Sequence, residues 1–482
     1  MTAQYPGSAF DEAWQQLLRP VDYKNPTPQA NYHLVIIGAG PAGLIAAIGA
    51  AGLGAKVALI ERHTMGGDCL NVGCVPSKCL LEHSKKHPGD FDGAFEWLRK
   101  VRADIAPHDS ATRYTELGVD VFLGEAEFVD GNHVKVGDVT LQGRRVAICT
   151  GAAASVPPIP GLLDASSLTN ESVFDLREKP ASIAILGAGA IGCELSQAFA
   201  RLGVEVSLFE MAPRVLPLES ERASAAVQAS LEAAGVSLYL GEGVSAVERD
   251  GAQVTVTSGD NKIVASEVMV ALGRRPNTAA LNLEAAGVEV DKQGFIVVDE
   301  KLRSTNSDVF AAGDCAARLQ FTHHADAQAR IVVQNALVVP TASTKGLVIP
   351  HCTYTSPEVA SVGESAASLT EAGIEFDTYE ASLSELDRGR AENDVGSYAE
   401  VFTVKGKDKI LGASIVGHDA GEQLAPICLL MSNGLGLAKA GNTILPYPTR
   451  SEYLKRLASA YTVSRFTPFL QNVFKTWLKL IG

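Results

Sequence analysis

Two cysteines separated by four residues are the part of the sequence best suited to redox chemistry. Cys69 and Cys74 have glycines before and between them and a Pro-Ser-Lys sequence ending at Lys78 just after. A disulfide needs its two Cα atoms about 4.4–6.8 Å apart, so a helix that opens at this pair must have a distorted first turn, which Gly73 permits. The helix N-terminus would stabilise a thiolate there. We therefore predict a redox-active pair, with two buried structural cysteines as the alternative.

A glycine-rich turn follows an apolar segment earlier in the chain. Residues 32–37 have the pattern of a buried strand and run into a GxGxxG sequence at residues 38–43 and an alanine-rich helix. In this context the glycines let the backbone approach a pyrophosphate, and the helix N-terminus supplies N–H donors. A second strand at 55–60 delivers Glu61, whose carboxylate is suited to a ribose hydroxyl. The pattern predicts a dinucleotide site.

The same pattern occurs a second time about 150 residues later. A strand at 183–186 leads into GxGxxG at 187–192, and a strand at 204–209 delivers Glu210. Two copies predict two dinucleotides and two nucleotide-binding domains. Glu210 would accept ribose hydroxyls and repel a 2′-phosphate, which favours NADH; the nearby Arg214 keeps NADPH as the alternative.

Three shorter apolar segments read as strands that end on small-residue turns. They occupy residues 146–151, 268–277 and 309–314. The third delivers Asp314 at its carboxyl end, where ligands gather in α/β sheets. We interpret the segments as crossings between domains, with plain strands and turns as the alternative.

The bulk properties are those of an ordinary globular protein. A length of 482 residues predicts two to four domains, and 46% apolar with 20% charged residues is typical of soluble chains. The net charge of −14 without a basic stripe argues against nucleic-acid binding. Eight scattered cysteines, no signal-peptide core and no apolar run of membrane-spanning length favour a cytoplasmic protein.

Taken together, these motifs resemble the flavoprotein disulfide reductases, which are the pyridine nucleotide-disulfide oxidoreductases that include lipoamide dehydrogenase, glutathione reductase and mercuric reductase. The resemblance covers residues 31–460. It implies an α/β fold with two Rossmann-like dinucleotide-binding domains, for FAD and NAD(P)H, and a C-terminal α+β dimerisation domain that makes a homodimer. The implied division is an N-terminal arm packed on the surface at 1–30, an FAD domain at 31–158 and 284–347, an NAD(P)H domain at 159–283, and an interface domain with an amphipathic tail at 348–482.

The resemblance also implies a role for single residues. Cys74 matches the thiol that lies against the flavin, Cys69 the interchange thiol that meets the substrate, and Lys78 a lysine near flavin N5 whose partner is Glu194. The implied cofactor-binding residues are Gly38, Gly40, Pro41, Ala42, Gly43, Glu61, Arg62, Gly67, Asp68, Cys69, Cys74, Lys78, Ala126, Thr150, Gly151, Asp314, Phe321, Thr322, His323, Gly187, Gly189, Ile191, Gly192, Glu194, Glu210 and Gly273. No metal ligands are implied.

The sequence departs from the family pattern in the interface domain. Disulfide-reducing members carry a His-Pro-Thr-x-x-Glu motif whose histidine is the acid/base partner of the interchange thiol, whereas here Tyr447 stands in the histidine position and Glu452 matches the glutamate. A phenol is a poor base at neutral pH. A tyrosine at this place resembles mercuric reductase; a packed interface aromatic is the alternative. Mercuric reductases also carry a C-terminal cysteine pair, but the last cysteine here is Cys428, so the acceptor stays open.

We therefore expect an FAD-dependent NAD(P)H oxidoreductase that passes hydride through flavin to a Cys69–Cys74 disulfide and on to a small acceptor, which is a metal ion, a thiol-bound metal or a disulfide. A dihydrolipoamide dehydrogenase-like enzyme and a redox-sensing flavin-binding protein are the alternatives. The last 17 residues have apolar side chains at helical spacing with basic residues among them. Dimer packing is the expected role of this tail, with a peripheral membrane contact as the alternative.

Overall fold

The structure is a computed structural model that describes residues 8–482. Residues 1–7 of the predicted N-terminal arm lie outside the described residues. The chain forms two compact units, one built from 235–345 and the described residues up to 211, the other from 212–234 and 346–482. The five-part domain division given above stays a prediction.

Residues 8–154, the first part of the chain that the structure describes, hold six helices and eight strands. They are α1 Ala9–Leu18, β1 Leu34–Ile37, α2 Pro41–Gly52, β2 Val57–Glu61, α3 Gly67–Asn71, α4 Cys74–Lys86, α5 Phe91–Asp109, α6 Ala111–Glu116, β3 Val119–Leu123, β4 Ala126–Phe128, β5 His133–Val136, β6 Val139–Gln142, β7 Val146–Ile148 and β8 Ala152–Ala154.

The middle of the chain repeats the alternation of strands and helices. Its elements are a 3-10 helix at Val173–Asp175, β9 Ser182–Leu186, α7 Ala190–Arg201, β10 Glu205–Glu210, α8 Glu221–Ala233, β11 Ser237–Leu240, β12 Val244–Asp250, β13 Gln253–Ser258, β14 Asn261–Ala265, β15 Glu267–Val270, β16 Arg274–Pro276, a 3-10 helix at Ala279–Leu281, β17 Val309–Ala311 and α9 Thr322–Leu337.

Two parallel sheets organise the first unit. One has the strand order β17-β7-β1-β2-β3 and the other the order β11-β10-β9-β15. All residues of β1 and β2 are buried, as expected of strands in a parallel sheet. In each sheet the strand before a glycine-rich turn pairs with the strand that ends in a glutamate, so β1 lies beside β2 and β9 beside β10. The predicted α/β fold with two Rossmann-like sheets is confirmed.

The second unit contains an antiparallel sheet with helices against it. After α9 the elements are β18 Pro350–Thr353, β19 Glu358–Gly363, α10 Ala366–Glu371, β20 Phe376–Ser382, α11 Asp387–Ala391, β21 Tyr398–Val404, β22 Ile410–Gly417, α12 Ala420–Ser432, α13 Leu437–Gly441, a 3-10 helix at Arg450–Glu452, α14 Tyr453–Ser464 and α15 Pro468–Ile481. The strand order is β18-β19-β22-β21-β20. Helix α12 packs on β19 and β22, and α14 packs on β20. Within residues 8–482, every helix falls short of the length and apolar character needed to cross a bilayer.

Candidate redox-active site

The two cysteines lie on either side of a break between two helices. Cys69 is in the short helix α3, and Cys74 is the first residue of α4. Gly73 lies at the break, and a Cβ added to it would come within 2.8 Å of the backbone oxygen of Asp68. Only glycine therefore fits there. The distortion predicted at the cysteine pair is present, but it divides the segment into two helices rather than bending the first turn of one.

The two thiols interact with each other. Both cysteines are free, and their side chains are hydrogen-bonded. The hydrogen bond from Cys69 lowers the pKa of Cys74 to about 6 against the effect of burial, and Thr322 and the charge of Lys78 lower it further. The same hydrogen bond and burial raise the pKa of Cys69. The Sγ of Cys74 lies 3.4 Å from the hydroxyl of Thr322, and the N-terminus of α4 also favours a thiolate.

A buried ion pair lies one turn along the same helix. The Nζ of Lys78 is 2.8 Å from the Oε2 of Glu194, which belongs to α7. The Glu194 side chain is buried, whereas that of Lys78 is half-buried. A buried carboxylate needs a cation beside it. The pairing implied by the resemblance is therefore present, and it links the helix of the thiols to the helix that follows the second glycine motif.

The first glycine motif forms a turn that larger residues would block. Gly38 has a φ of +103°, and a Cβ there would lie 2.4 Å from the carbonyl oxygen of Cys149. A Cβ on Gly43 would lie 1.8 Å from the oxygen of Gly38, so the helix can pack on the turn only with glycine at both places. Helix α2 begins at Pro41 after Gly40, whose lack of a side chain leaves the first amide groups for a ligand.

A cavity of about 210 Å³ opens beside this turn. Four of the predicted cofactor residues line it in addition to Gly38, namely Glu61, Arg62, Ala126 and Thr150. The carboxylate of Glu61 accepts hydrogen bonds from the amides of Ala39 at 2.8 Å and His63 at 2.7 Å, and burial raises its pKa. The site fits an adenine dinucleotide such as FAD. It combines a tight glycine turn, a helix N-terminus with free amide groups, and a cavity lined by an acidic residue.

The second glycine motif has the same geometry. A Cβ on Gly187 would lie 2.5 Å from the oxygen of Ala271, and one on Gly192 would lie 1.8 Å from the oxygen of Gly187. Glu210 accepts a hydrogen bond from the amide of Ala188 at 2.8 Å, as Glu61 does at the first motif. Gly189 caps α7 and Ile191 lies in its first turn. These residues fit a second dinucleotide.

Arg274 connects several of the predicted cofactor residues, although the sequence did not single it out. It donates hydrogen bonds to the carboxylate of Asp68 and, at 2.5 Å, to the carbonyl of Ala152. Its Nε lies 3.6 Å from the carboxylate of Asp314. Burial raises the pKa of Asp314, and the charge of Arg274 opposes that shift. Gly273, with a φ of +99°, precedes it. In the sequence, the only indication of a role for Arg274 is its position directly after a glycine that is predicted to lie in a turn.

Several remaining predicted residues lie at the ends of elements in the same unit. Thr150 and Gly151 come between β7 and β8, and Gly67 begins α3. The rings of Phe321 and His323 are stacked with their centroids 5.4 Å apart, and Thr322 between them is the first residue of α9. Ala42 is buried in α2. Their binding roles stay predictions.

The N-terminal helix is hydrogen-bonded to the helix that carries Cys69. The Nε1 of Trp14 donates to the Oδ1 of Asn71 at 2.8 Å, and the Nδ2 of Asn71 donates to the carbonyls of Met65 at 3.0 Å and Gly67 at 2.8 Å. Arg102 donates to the backbone oxygen of Asn71 at 3.0 Å. The side chain of Asn71 thus ties the last residue of α3 to the start of that helix and is itself held by α1. The sequence alone predicts only an arm packed on the surface for this segment.

A buried cluster of charges holds α1 in place. Asp11 is only 2% exposed and lies 2.7 Å from Arg177, 3.6 Å from Arg99 and 3.7 Å from Arg102. Three guanidinium groups therefore surround one carboxylate that is removed from water. The local sequence gave no signal for this cluster, because the arginines are far from Asp11 along the chain.

Tyr447 and Glu452 belong to the second unit. The hydroxyl of Tyr447 donates a hydrogen bond to the carboxylate of Asp387, which raises the pKa of the phenol, and the side chain is 67% exposed. Glu452 ends a 3-10 helix that begins at Arg450. Tyr447 is therefore an exposed neutral phenol rather than a packed aromatic within its own chain. Across residues 8–482, no group of three or more His, Cys, Asp or Glu side chains is arranged to hold a metal ion.

Comparison with known proteins gives matches over most of the chain. Residues 32–329 match the family described as pyridine nucleotide-disulphide oxidoreductase, and residues 349–458 match the dimerisation domain of that family. A mercuric reductase from Bacillus cereus is 34% identical over 474 residues, covering 94% of this chain and 75% of that protein. A mercuric reductase from Streptomyces lividans is 35% identical over 457 residues, covering 89% and 96%.

A solved structure has the same fold. The Cu(II) complex of the HOCl-induced flavoprotein disulfide reductase RclA from Escherichia coli aligns with a TM-score of 0.83 and 30% sequence identity. The alignment covers 88% of this chain and 99% of that one. The family match over residues 32–329 includes both cysteines and both glycine motifs described above.

Proposed function

Because the chain belongs to the pyridine nucleotide-disulphide oxidoreductase family, whose members are flavin-dependent enzymes, we propose that it is an NADH-preferring, FAD-dependent dithiol oxidoreductase that reduces a thiophilic metal ion or a thiol-bound metal. The observation that carries the proposal is the hydrogen-bonded pair of Cys69 and Cys74, in which the pKa of Cys74 is lowered to about 6. Because the members of this family are enzymes, the alternative of a flavin-binding protein that only senses redox state is disfavoured.

Residues around the two glycine turns would hold the cofactors. Gly38, Gly40 and Gly43 with Glu61 would hold FAD, and the second motif with Glu210 would hold NADH. FAD, when bound, supplies the two-electron chemistry that links the nicotinamide to the thiols. The carboxylate of Glu210 would accept hydrogen bonds from ribose hydroxyls and would repel a 2′-phosphate.

Arg214 is the cation that kept NADPH as the alternative in the sequence. The Nη2 of Arg214 donates to the backbone oxygen of Pro217 at 2.9 Å. The Nη1 atom of the same guanidinium is buried without a hydrogen-bond partner among residues 8–482, so NADPH stays the alternative donor.

The reduced pair is a thiol beside a thiolate. At neutral pH Cys74, with a pKa of about 6, has lost its proton, whereas Cys69 keeps its proton and donates it in the hydrogen bond to Cys74. Lys78, paired with Glu194, and the N-terminus of α4 hold the negative charge on Cys74. The chain's own residues thus hold a thiolate on Cys74, the thiol expected to lie against the flavin, and a proton on Cys69, the thiol expected to meet the acceptor.

Oxidation of this thiol and thiolate to a disulfide releases two electrons and the one proton carried by Cys69. The acceptor must therefore take two electrons in total, as one Hg(II) ion reduced to the metal does, or as two Cu(II) ions each reduced to Cu(I) do. Two neighbouring sulfurs form a soft ligand set that suits thiophilic cations. The mercuric reductases and the Cu(II) complex of RclA among the similar proteins support a metal ion as the acceptor.

Reduction of organic disulfides, as in a dihydrolipoamide dehydrogenase, is the second candidate. It needs an acid/base group that titrates near neutral pH. Tyr447 stands in the place of that group, and its hydrogen bond to Asp387 raises the phenol pKa further above the neutral range. The match of residues 349–458 to a dimerisation domain supports a homodimer, in which this unit would form the interface.

An acceptor assay tests the proposal. FAD-loaded protein is reduced with NADH without oxygen, and glutathione-bound Hg(II), Cu(II) or lipoamide is then added while reoxidation is followed. We expect reoxidation by the metals in the wild type and its loss in Cys69→Ser. Reoxidation by lipoamide alone, or by metals without Cys69, would contradict the proposal.

A further inference from the structure

The last helix of the chain is preformed and capped by its own residues. Helix α15 begins at Pro468, and the hydroxyl of Thr467 accepts a hydrogen bond from the amide of Leu470. A threonine cap followed by proline is a favourable helix start. The ring of Phe466 stacks on Phe474, with centroids 5.5 Å apart, and fixes the entry of the chain into the helix. None of the residues of α15 is buried.

Its apolar residues all lie on one half of the helix and are all exposed. At about 100° per residue, eight side chains fall within half the circumference. Their exposed fractions run from 38% to 76%, and the residues are Phe469, Leu470, Val473, Phe474, Trp477, Leu478, Leu480 and Ile481. The other half holds Gln471, Asn472, Lys475, Thr476 and Lys479. An apolar face of this size on an isolated helix of 14 residues needs a partner.

The charge of this segment is opposite to that of the chain. The whole protein carries a net charge of −14, yet no Asp or Glu follows Glu452. The same stretch contains Lys455, Arg456, Arg465, Lys475 and Lys479. Lys475 and Lys479 lie on the polar half of α15, where their ammonium groups would meet phosphates beside a buried apolar face.

A second copy of the chain fits this face less well than a lipid surface does. The match to the family's dimerisation domain ends at residue 458, before α15 begins. Two paired helices bury a narrow seam of side chains, whereas this face spans half the helix. Trp477 lies near its middle, and tryptophan is favoured at the boundary between lipid headgroups and acyl chains.

We propose that α15 is a peripheral anchor that binds the surface of an anionic lipid membrane. Its apolar half would lie among the acyl chains, and Lys475 and Lys479 would contact lipid phosphates. This proposal is independent of the proposed redox function, because it rests on none of the residues of the thiol site.

Vesicle sedimentation of the full-length, FAD-loaded protein tests the anchor. We expect binding to phosphatidylcholine vesicles that contain about one-third phosphatidylglycerol, and at least about tenfold weaker binding to phosphatidylcholine alone. Lys475→Glu/Lys479→Glu should weaken binding to the anionic vesicles by at least about tenfold. The control Lys262→Glu/Lys292→Glu makes the same charge change at two exposed lysines outside the tail and should bind as the wild type does.

A second pair of variants tests the apolar face. Phe474→Ser/Trp477→Ser should abolish vesicle binding, whereas Leu218→Ser, at a side chain that is 96% exposed, should not change it. NADH oxidation should be equal in all tail variants, so a failed anchor is distinguishable from a failed redox function. Unchanged vesicle binding in both tail variants would overturn the proposal. The proposal would also be overturned if Phe474→Ser/Trp477→Ser changed the protein from a dimer to a monomer in sedimentation velocity without lipid. That result would mean that α15 of the wild type packs on a second copy of the chain.

Discussion

The ammonium of Lys78 lies 2.8 Å from the carboxylate of Glu194, although the two residues are 116 positions apart. Lys78 follows Cys74 by one helical turn, and Glu194 lies in the helix that follows the second glycine motif. The contact thus joins the segment that holds the thiols to the segment proposed to hold NADH. It also keeps a positive charge beside the sulfur that must carry a negative one.

Removing either partner of this ion pair should destabilise the protein. Lys78→Met leaves the buried Glu194 carboxylate without its ammonium, and we expect a loss of about 1–3 kcal/mol in the free energy of unfolding. The loss stays below that of a fully buried pair, because the Lys78 side chain is 38% exposed. Glu194→Gln combined with Lys78→Met should show a coupling of about 0.5–3 kcal/mol in denaturant unfolding.

A matched control lies on the same helix. Lys85 is exposed near the end of α4, and Lys85→Met should change the free energy of unfolding by less than about 0.5 kcal/mol. If Lys78→Met behaved as Lys85→Met does, the ion pair would have no role in stability.

The thiolate of Cys74 should titrate in the acid range. In reduced protein, we expect the rate of iodoacetamide alkylation at Cys74 to rise with a midpoint near pH 6, rather than near its ordinary value of 9.0. Cys69→Ser should raise this midpoint, because the hydrogen bond from Cys69 is the largest cause of the shift. Cys79 is the control, since burial raises its pKa to about 11 and Cys79→Ser should leave the midpoint unchanged.

The same shift links stability to pH. Because the folded-state pKa of Cys74 lies below that of the unfolded chain, its thiolate stabilises the fold fully above about pH 9, and the contribution is lost as the pH falls through about 6. Reduced wild type should therefore lose more stability than Cys74→Ser between these pH values. An equal loss in both would contradict the lowered pKa.

Trp14 should position the helix of Cys69. Trp14→Phe keeps an aromatic ring but removes the donor to Asn71, which leaves a buried amide oxygen without this bond. We expect a loss of about 1–3 kcal/mol in the free energy of unfolding, faster hydrogen exchange in α3 and a changed alkylation midpoint of Cys74. Trp97→Phe alters a ring that is 44% exposed and should change none of these. A loss of stability with an unchanged midpoint would limit Trp14 to a structural role.

Tyr447 should limit the reduction of organic disulfides. A neutral phenol whose pKa is raised by Asp387 is a poor base, so Tyr447→His should increase NADH-dependent lipoamide reduction by at least about tenfold, since a positioned general base contributes about 10²–10⁴-fold. Tyr354→His, at another exposed tyrosine of the same unit, is the control. Efficient lipoamide turnover in the wild type that Tyr447→His leaves unchanged would favour the dihydrolipoamide dehydrogenase-like alternative.

Local sequence patterns were sufficient to predict the two glycine-rich turns. Gly43 and Gly192 are required by contacts with the backbone of Gly38 and Gly187, five residues earlier, and such local contacts leave a regular spacing in the sequence. The pairing of Lys78 with Glu194 could not come from spacing. It came from the resemblance to the family, and the structure has the contact.

The charges that surround the site could not be predicted from the sequence. The N-terminal segment from Phe10 to Leu18 reads as an ordinary amphipathic helix, and nothing near Asp11 indicates that three distant arginines surround it. Arg274 likewise has nothing in its local sequence that sets it apart from other arginines, and its hydrogen bond to Asp68 depends on the fold. Long-range ion pairs depend on tertiary packing, so they leave no periodic signal along the chain.

Anaerobic titration with NADH tests most directly the claim that electrons reach the two sulfurs. The FAD-loaded wild type, with its cysteine pair oxidised, should take up a second equivalent of NADH beyond the one that reduces the flavin, and a long-wavelength absorbance band from a thiolate beside the flavin should appear. Cys74→Ser should take up one equivalent and lack the band. Equal uptake of NADH by the wild type and Cys74→Ser would contradict the account.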